Sequence, residues 1–130
     1  MNMKKVLIID DEVDIANNIK AILSDESYNT SIAHNSKDAM QLLSVNNYNL
    51  IILDVWLNNS DLDGIGILKK LRETSLTPVI IISGHGNIEM AVKAIKEGAN
   101  EFIEKPFTTE RLLLSVRRSI ELHEIRSENE

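Results

Sequence analysis

Four short runs of apolar residues punctuate the chain: Val6-Leu7-Ile8-Ile9, Leu50-Ile51-Ile52-Leu53, Val79-Ile80-Ile81-Ile82 and the briefer Phe102-Ile103. They are continuous rather than alternating and rich in β-branched residues, the pattern of strands buried on both faces of a parallel sheet. Pro78 stands just ahead of the third run, where a missing N–H harms a ladder least. The weaker segment from Asn29 to Ala33 reads as an edge strand. Between the runs the period becomes helical. Ile15, Ile19, Ile22 and Leu23 share one face, and Ala39, Leu42 and Leu43 share another behind a Ser36 cap. Leu68 and Leu71 follow Gly64. Ile88, Ala91, Val92 and Ile95 predict a buried stripe that stops at Gly98, the expected C′ residue, while Met90 falls off that stripe and is expected at the surface. Leu113, Val116 and Ile120 make the last core face. Strand and helix alternate five times, which implies an α/β sandwich of three layers with right-handed crossovers.

Composition narrows the class. A chain of 130 residues suits one domain, and 43% hydrophobic with 26% charged residues is ordinary for a globule. No apolar run approaches the ~18 residues of a membrane span, and the first eleven residues lack a signal peptide's apolar stretch. With no cysteine, disulfides and thiolate metal sites are excluded, which fits a reducing, cytoplasmic setting. A net charge of −6 and 4% aromatics equip the chain poorly for nucleic acid, so contact with DNA would need another domain.

The strand ends carry the chemistry. The first run ends in Asp10-Asp11, the second in Asp54, the third in Ser83, and the last leads through Glu104 to Lys105. Open α/β sheets bind ligands outside the carboxyl ends of their strands. Three carboxylates, a hydroxyl and an ammonium are therefore delivered to one edge. Carboxylates within ~4 Å of each other repel by roughly 4 kcal/mol per pair at an effective dielectric near 20, so the group takes up protons or holds a cation. Oxygen donors without His or Cys suit a hard ion such as Mg²⁺. With its charge neutralised, Asp54 can attack phosphorus, giving an aspartyl phosphate, while Ser83 and Lys105 hold phosphoryl oxygens. Each residue also has a plainer reading. Asp11, Glu12 and Asp14 can simply favour a helix dipole, Lys105 can be a solvated loop cation and Ser83 a turn hydroxyl. His34 and His123 are expected at the surface. His85 lies by the site, and Trp56, two residues past Asp54, is expected at its mouth.

Asp10-Asp11, Asp54, Ser83 and Lys105-Pro106, in order and at the right spacing, resemble the signature of the bacterial response-regulator receiver domain over nearly the whole chain. The segments Ser83-Gly-His-Gly and Glu104-Lys-Pro-Phe107 further resemble its nitrogen-regulator (NtrC/NtrX) class. The resemblance implies a flavodoxin-like, doubly wound sheet of five parallel strands in the order 2-1-3-4-5 with five helices. It implies Asp54 as phosphoacceptor, a sensor histidine kinase as donor, and Mg²⁺ held by Asp10, Asp11, Asp54 and the Trp56 backbone carbonyl. Ser83 and Lys105 would bind the phosphoryl group, and Ser83 with Phe102 would form the switch. The sequence departs from the common pattern in three places. The loop from Asn58 to Gly64 is longer by about two residues, Ser83 replaces the commoner Thr, and Phe102 has no hydroxyl at a Tyr/Phe position.

The expectation is a signalling switch that catalyses only its own phosphorylation and dephosphorylation. A small Mg²⁺-dependent phosphatase, the rival, normally wants a second Asp two residues past the nucleophile, where Trp56 stands. Residues 1–121 are expected as the receiver and 122–130 as a helix extension or the start of a linker to an output domain outside these residues. Regulation of transcription, and any contact with DNA, would run through that domain. Trp56 and His85 are expected to slow hydrolysis by shielding the phosphorus from water. Leu114, Arg118, Leu122 and Ile125 share the outer face of the last helix, which predicts a homodimer promoted by phosphorylation.

Overall fold

The computed structural model describes residues 3–55, 63–84 and 88–128. They form β1 (Lys5–Ile9), α1 (Val13–Asp25), β2 (Asn29–Ala33), α2 (Ser36–Val45), β3 (Leu50–Asp54), α3 (Gly64–Arg72), β4 (Val79–Ser83), α4 (Ile88–Lys96), β5 (Glu101–Glu104) and α5 (Thr109–Glu128). All strand pairs are parallel, and the order is β2-β1-β3-β4-β5. This is the expected flavodoxin-like arrangement.

The continuous apolar runs divide between two cores because side chains alternate across a strand. Leu7, Ile9, Ile51, Leu53, Val79 and Ile81 face one side, where they pack with Ala39, Ile67, Leu68, Leu71 and Ala94 from α2, α3 and α4. Val6, Ile8, Leu50, Ile52, Ile80 and Ile82 face the other, against Ala16, Ile19 and Leu23 of α1 and Leu112, Val116 and Ile120 of α5. Two-sided burial makes each of these strand residues costly to truncate, about 2–5 kcal/mol for Ile or Leu to Ala. The strands therefore form a stiff base for whatever their ends carry.

Glycine is required at two positions. A Cβ on Gly64 would lie 2.2 Å from the Asp54 carbonyl oxygen and 2.8 Å from Val55 Cα, so α3 starts against the backbone that carries Asp54. Gly98, at φ +111, closes α4. The Gly98 amide donates to Ile95 O and the Ala99 amide to Ala94 O, which is the Schellman arrangement expected at this position.

Several helix expectations need correction. Asn35, not Ser36, caps α2: its side chain accepts from the Asp38 amide at 2.8 Å while Ser36 is buried. In α4 the buried residues are Ala91 and Ala94, and Ile88, Val92 and Ile95 are 59%, 47% and 42% exposed. The small alanines let the helix lie close to the sheet and turn its large aliphatics outward. Met90, expected at the surface, packs instead against the α2–α4 side of the core. In α5 Leu112 is fully buried and Leu113 only partly so. Leu114, Leu122 and Ile125 are exposed, as the outer-face reading requires.

Candidate functional site

Four strand ends converge at the carboxyl edge of the sheet. Asp10 follows β1, Asp54 ends β3, Ser83 ends β4 and Lys105 follows β5. Asp10, Asp54 and Ser83 are buried, at 2%, 5% and 2% exposure. Carboxylate oxygens of Asp10, Glu12 and Asp54 all lie within 4.8 Å of one another. The Lys105 ammonium stands among them, 3.2 Å from Asp54 Oδ2, 3.4 Å from Asp10 Oδ2 and 3.6 Å from Glu12 Oε1. The Lys105–Pro106 peptide that carries it is cis.

Among the described residues one cation, Lys105, stands with three acids, and negative charge is in excess. Burial, then the neighbouring Asp10 charge, pushes the Asp54 carboxyl up to about 7, with Lys105 pulling the other way. Burial works against the Lys105 ammonium, but the charges of Asp54 and Asp10 prevail and hold its pKa above the ordinary lysine value. Near neutral pH Asp54 is thus poised between its neutral and ionised forms. A second cation at this edge would favour the ionised form.

The structure brings together Asp10, Asp54, Ser83 and Lys105 as the sequence suggested. It adds Glu12, whose signal was present in the Asp10-Asp11-Glu12 run but was read as helix-dipole chemistry. Glu12 is the N-cap residue of α1 and makes no side-chain cap bond. Asp11, part-buried in the same loop, is not among the three close carboxylates. The Ser83 hydroxyl makes a long bond to Gly84 O, at 3.4 Å. Phe102 is half-buried and packs against the α2–α4 side of the core. Trp56, His85 and most of the long loop after Asp54 lie outside the described residues. His34, expected at the surface, is part-buried and its Nδ1–H donates to the Asp10 backbone carbonyl at 2.8 Å.

The family model for the response regulator receiver domain matches residues 6–117. The chain belongs to this family. It is 48% identical over 130 residues to an NtrX-like response regulator of Rickettsia bellii, covering 99% of this chain and 27% of that protein. It is 46% identical over 124 residues to the nitrogen assimilation regulatory protein NtrX of Azorhizobium caulinodans, covering 95% of this chain and again 27% of the relative. The receiver domain thus spans about a quarter of the length of these curated relatives. In structure it is similar to the crystallised receiver domain of NtrX from Brucella abortus, with a TM-score of 0.87 and 44% identity over 89% of this chain and 98% of that one. A longer NtrX structure from the same organism matches with a TM-score of 0.94 and 41% identity, over 98% of this chain and 29% of that one. The family makes this a signalling domain of two-component systems rather than a metabolic enzyme. No described helix is long and apolar enough to cross a membrane.

Proposed function

We propose that this receiver domain accepts a phosphoryl group on Asp54 from a sensor histidine kinase and relays the change to a transcription-regulating output in the cytoplasm. The observation that carries this is the buried Asp54 carboxylate, held with Asp10 and Glu12 around the Lys105 ammonium. An all-oxygen donor set with surplus negative charge fits a hard divalent cation, so Mg²⁺ is the cofactor of this reading. Asp10, Asp54 and Asp11 or Glu12 would hold it, with the Trp56 backbone carbonyl as the family resemblance implies. Bound there, Mg²⁺ supplies the positive charge that lets a carboxylate and a phosphoryl donor approach. An Asp54 oxygen then bonds to phosphorus as the donor's P–N bond breaks and the imidazole leaves. Lys105 neutralises one phosphoryl oxygen, and Ser83 donates its hydroxyl to another.

Two further elements belong to this reading. Ser83, weakly tied to Gly84, moves toward the phosphoryl group, and Phe102 repacks in the space released; this shifts a population between two packings. The outer face of α5 then supports a homodimer. From their place in the sequence, Trp56 and His85 would set the phosphoryl lifetime by shielding phosphorus from water.

Intact mass after incubation with acetyl phosphate and Mg²⁺ tests the core of the proposal. The wild-type chain should gain one phosphoryl group, lose the gain when EDTA replaces Mg²⁺, and show none as Asp54→Asn. An Asp54→Asn chain that gains the same mass would place the phosphoacceptor elsewhere.

A further inference from the structure

Asp10 is held by its backbone as well as by its position at a strand end. In the β1–β2 ladder the Asn29 amide donates to Lys4 O at 2.9 Å, and the Asp10 amide donates to Ala33 O at 3.1 Å. A parallel ladder repeats every two residues, so its next rung would run from the residue 35 amide to the Asp10 carbonyl. Asn35 leaves the sheet at that point to cap α2, with φ −155 and ψ 171. His34 takes the rung with its side chain, Nδ1 to Asp10 O at 2.8 Å. A carbonyl can only accept, so Nδ1 carries the hydrogen. The bond therefore holds whether Nε2 is protonated or not.

The peptide so fixed lies at the start of the acidic loop. Asp10 Oδ1 accepts from the Glu12 amide at 2.9 Å, so the positions of Asp10 and Glu12 are linked. Rotation of the Asp10–Asp11 peptide would disturb both carboxylates that stand with Asp54.

We infer that His34 is a positioning residue for the cation site: by completing the β1–β2 ladder at Asp10 it preorganises the loop's carboxylates for Mg²⁺. The inference rests on the proposed reading of this edge as an Mg²⁺ and phosphoryl site. Groups that orient metal ligands from outside the ligand set commonly contribute 10–100-fold in affinity, and one acting through a peptide belongs at the lower end of that range.

Calorimetric titration of the 130-residue chain with MgCl₂ tests it. His34→Ala should bind Mg²⁺ about tenfold more weakly. His34→Asn, whose Nδ2–H stands where Nδ1–H did, should stay within about twofold of wild type. His34→Gln, which mimics Nε2 instead, should behave as His34→Ala. Urea unfolding in EDTA separates positioning from stability, because a purely structural role would lower the stability of His34→Gln and leave Mg²⁺ affinity in the folded protein unchanged. The Asn and Gln pair carries the comparison even if the Ala variant does not fold. Wild-type affinity in His34→Gln, or equal weakening in His34→Asn and His34→Gln, overturns the inference alone. A wild-type chain that takes up no Mg²⁺ overturns the reading of the site and the inference with it.

Discussion

Two carboxylates show how this fold separates chemistry from architecture. Asp54, at the carboxyl end of β3, shares the Lys105 ammonium with Asp10 and Glu12. Glu101, at the amino end of β5, has partners to spare. Arg118 grips it with both Nε and Nη2, Ser119 donates at 3.0 Å and Ser115 at 3.3 Å, and the Arg111 guanidinium lies 3.9 Å away. Burial raises both acids. At Asp54 it is reinforced by Asp10 and the carboxyl reaches about 7; at Glu101 the hydrogen bonds and charge of α5 overcome it, and the pKa falls below the ordinary glutamate value. A satisfied acid fixes a helix to a sheet. One that is buried beside another acid is driven toward a proton or a cation.

The comparison breaks most visibly on pH. Because the folded pKa of Asp54 lies above its unfolded value near 3.8, its contribution to stability is complete below pH 3.8 and is lost as pH rises toward 7. In EDTA, Asp54→Asn should therefore gain on wild type between pH 5 and pH 8, by about 2–3 kcal/mol at most, and the gap should close when Mg²⁺ is added. Urea unfolding across that range measures it, and parallel pH slopes would remove the physical basis of the contrast.

Glu101 should show the opposite sign. Its folded pKa is depressed, so its contribution is present above the unfolded value of 4.5 and is lost as pH falls through the folded pKa. Glu101→Ala strips the acceptor from two buried hydroxyls and should cost about 2–3 kcal/mol at pH 7. That cost should shrink in acid, where the wild type loses the same ion pair. A cost that stays constant down to pH 3 would mean the carboxylate is not what holds α5 here.

Ser83 tests whether the acidic site communicates. Ser83→Ala should still gain a phosphoryl group by intact mass, more slowly, while the amide shift changes around Phe102 on phosphorylation largely disappear. Full wild-type shifts in that variant would uncouple the two residues.

The legible parts of the molecule were those set by short range. Two-sided strands show as continuous apolar runs, and the residue that follows each run is necessarily at the sheet's edge, so Asp10, Asp54, Ser83 and Lys105 could be placed from the chain alone. Phase failed where several registers fit. Leu112, Leu113 and Leu114 are consecutive, so sequence cannot say which one faces inward, and in α4 the larger aliphatics outbid alanines that pack closer. Long-range polar ties were invisible. His34 reaches Asp10 across 24 residues, and the buried Ser115 and Ser119 look like surface residues until Glu101 is placed against them.

The smallest effect concerns the face that Glu101 organises. The outer stripe of α5 contains Leu114, Leu122 and Ile125, exposed by 48%, 46% and 53%, with Arg118 between them. By sequence alone Arg118, together with Arg117, offers a cation to an acidic neighbour. Its guanidinium is instead committed to Glu101 within the chain, so the proposed dimer would rest on the aliphatics. Three exposed side chains make a small interface, which suits weak and transient association. Light scattering over a concentration series, with the phosphoryl mimic beryllofluoride and Mg²⁺, should show dimer growing with concentration. Leu122→Arg should weaken that association about tenfold, equivalent to ~1.4 kcal/mol. Arg118→Ala should lower the stability of the monomer more than it weakens the dimer, because the bond it removes is internal. If Leu122→Arg leaves the mimic-bound association unchanged while Arg118→Ala abolishes it, Arg118 exchanges Glu101 for a partner on activation, and the closed carboxylate is part of the switch after all.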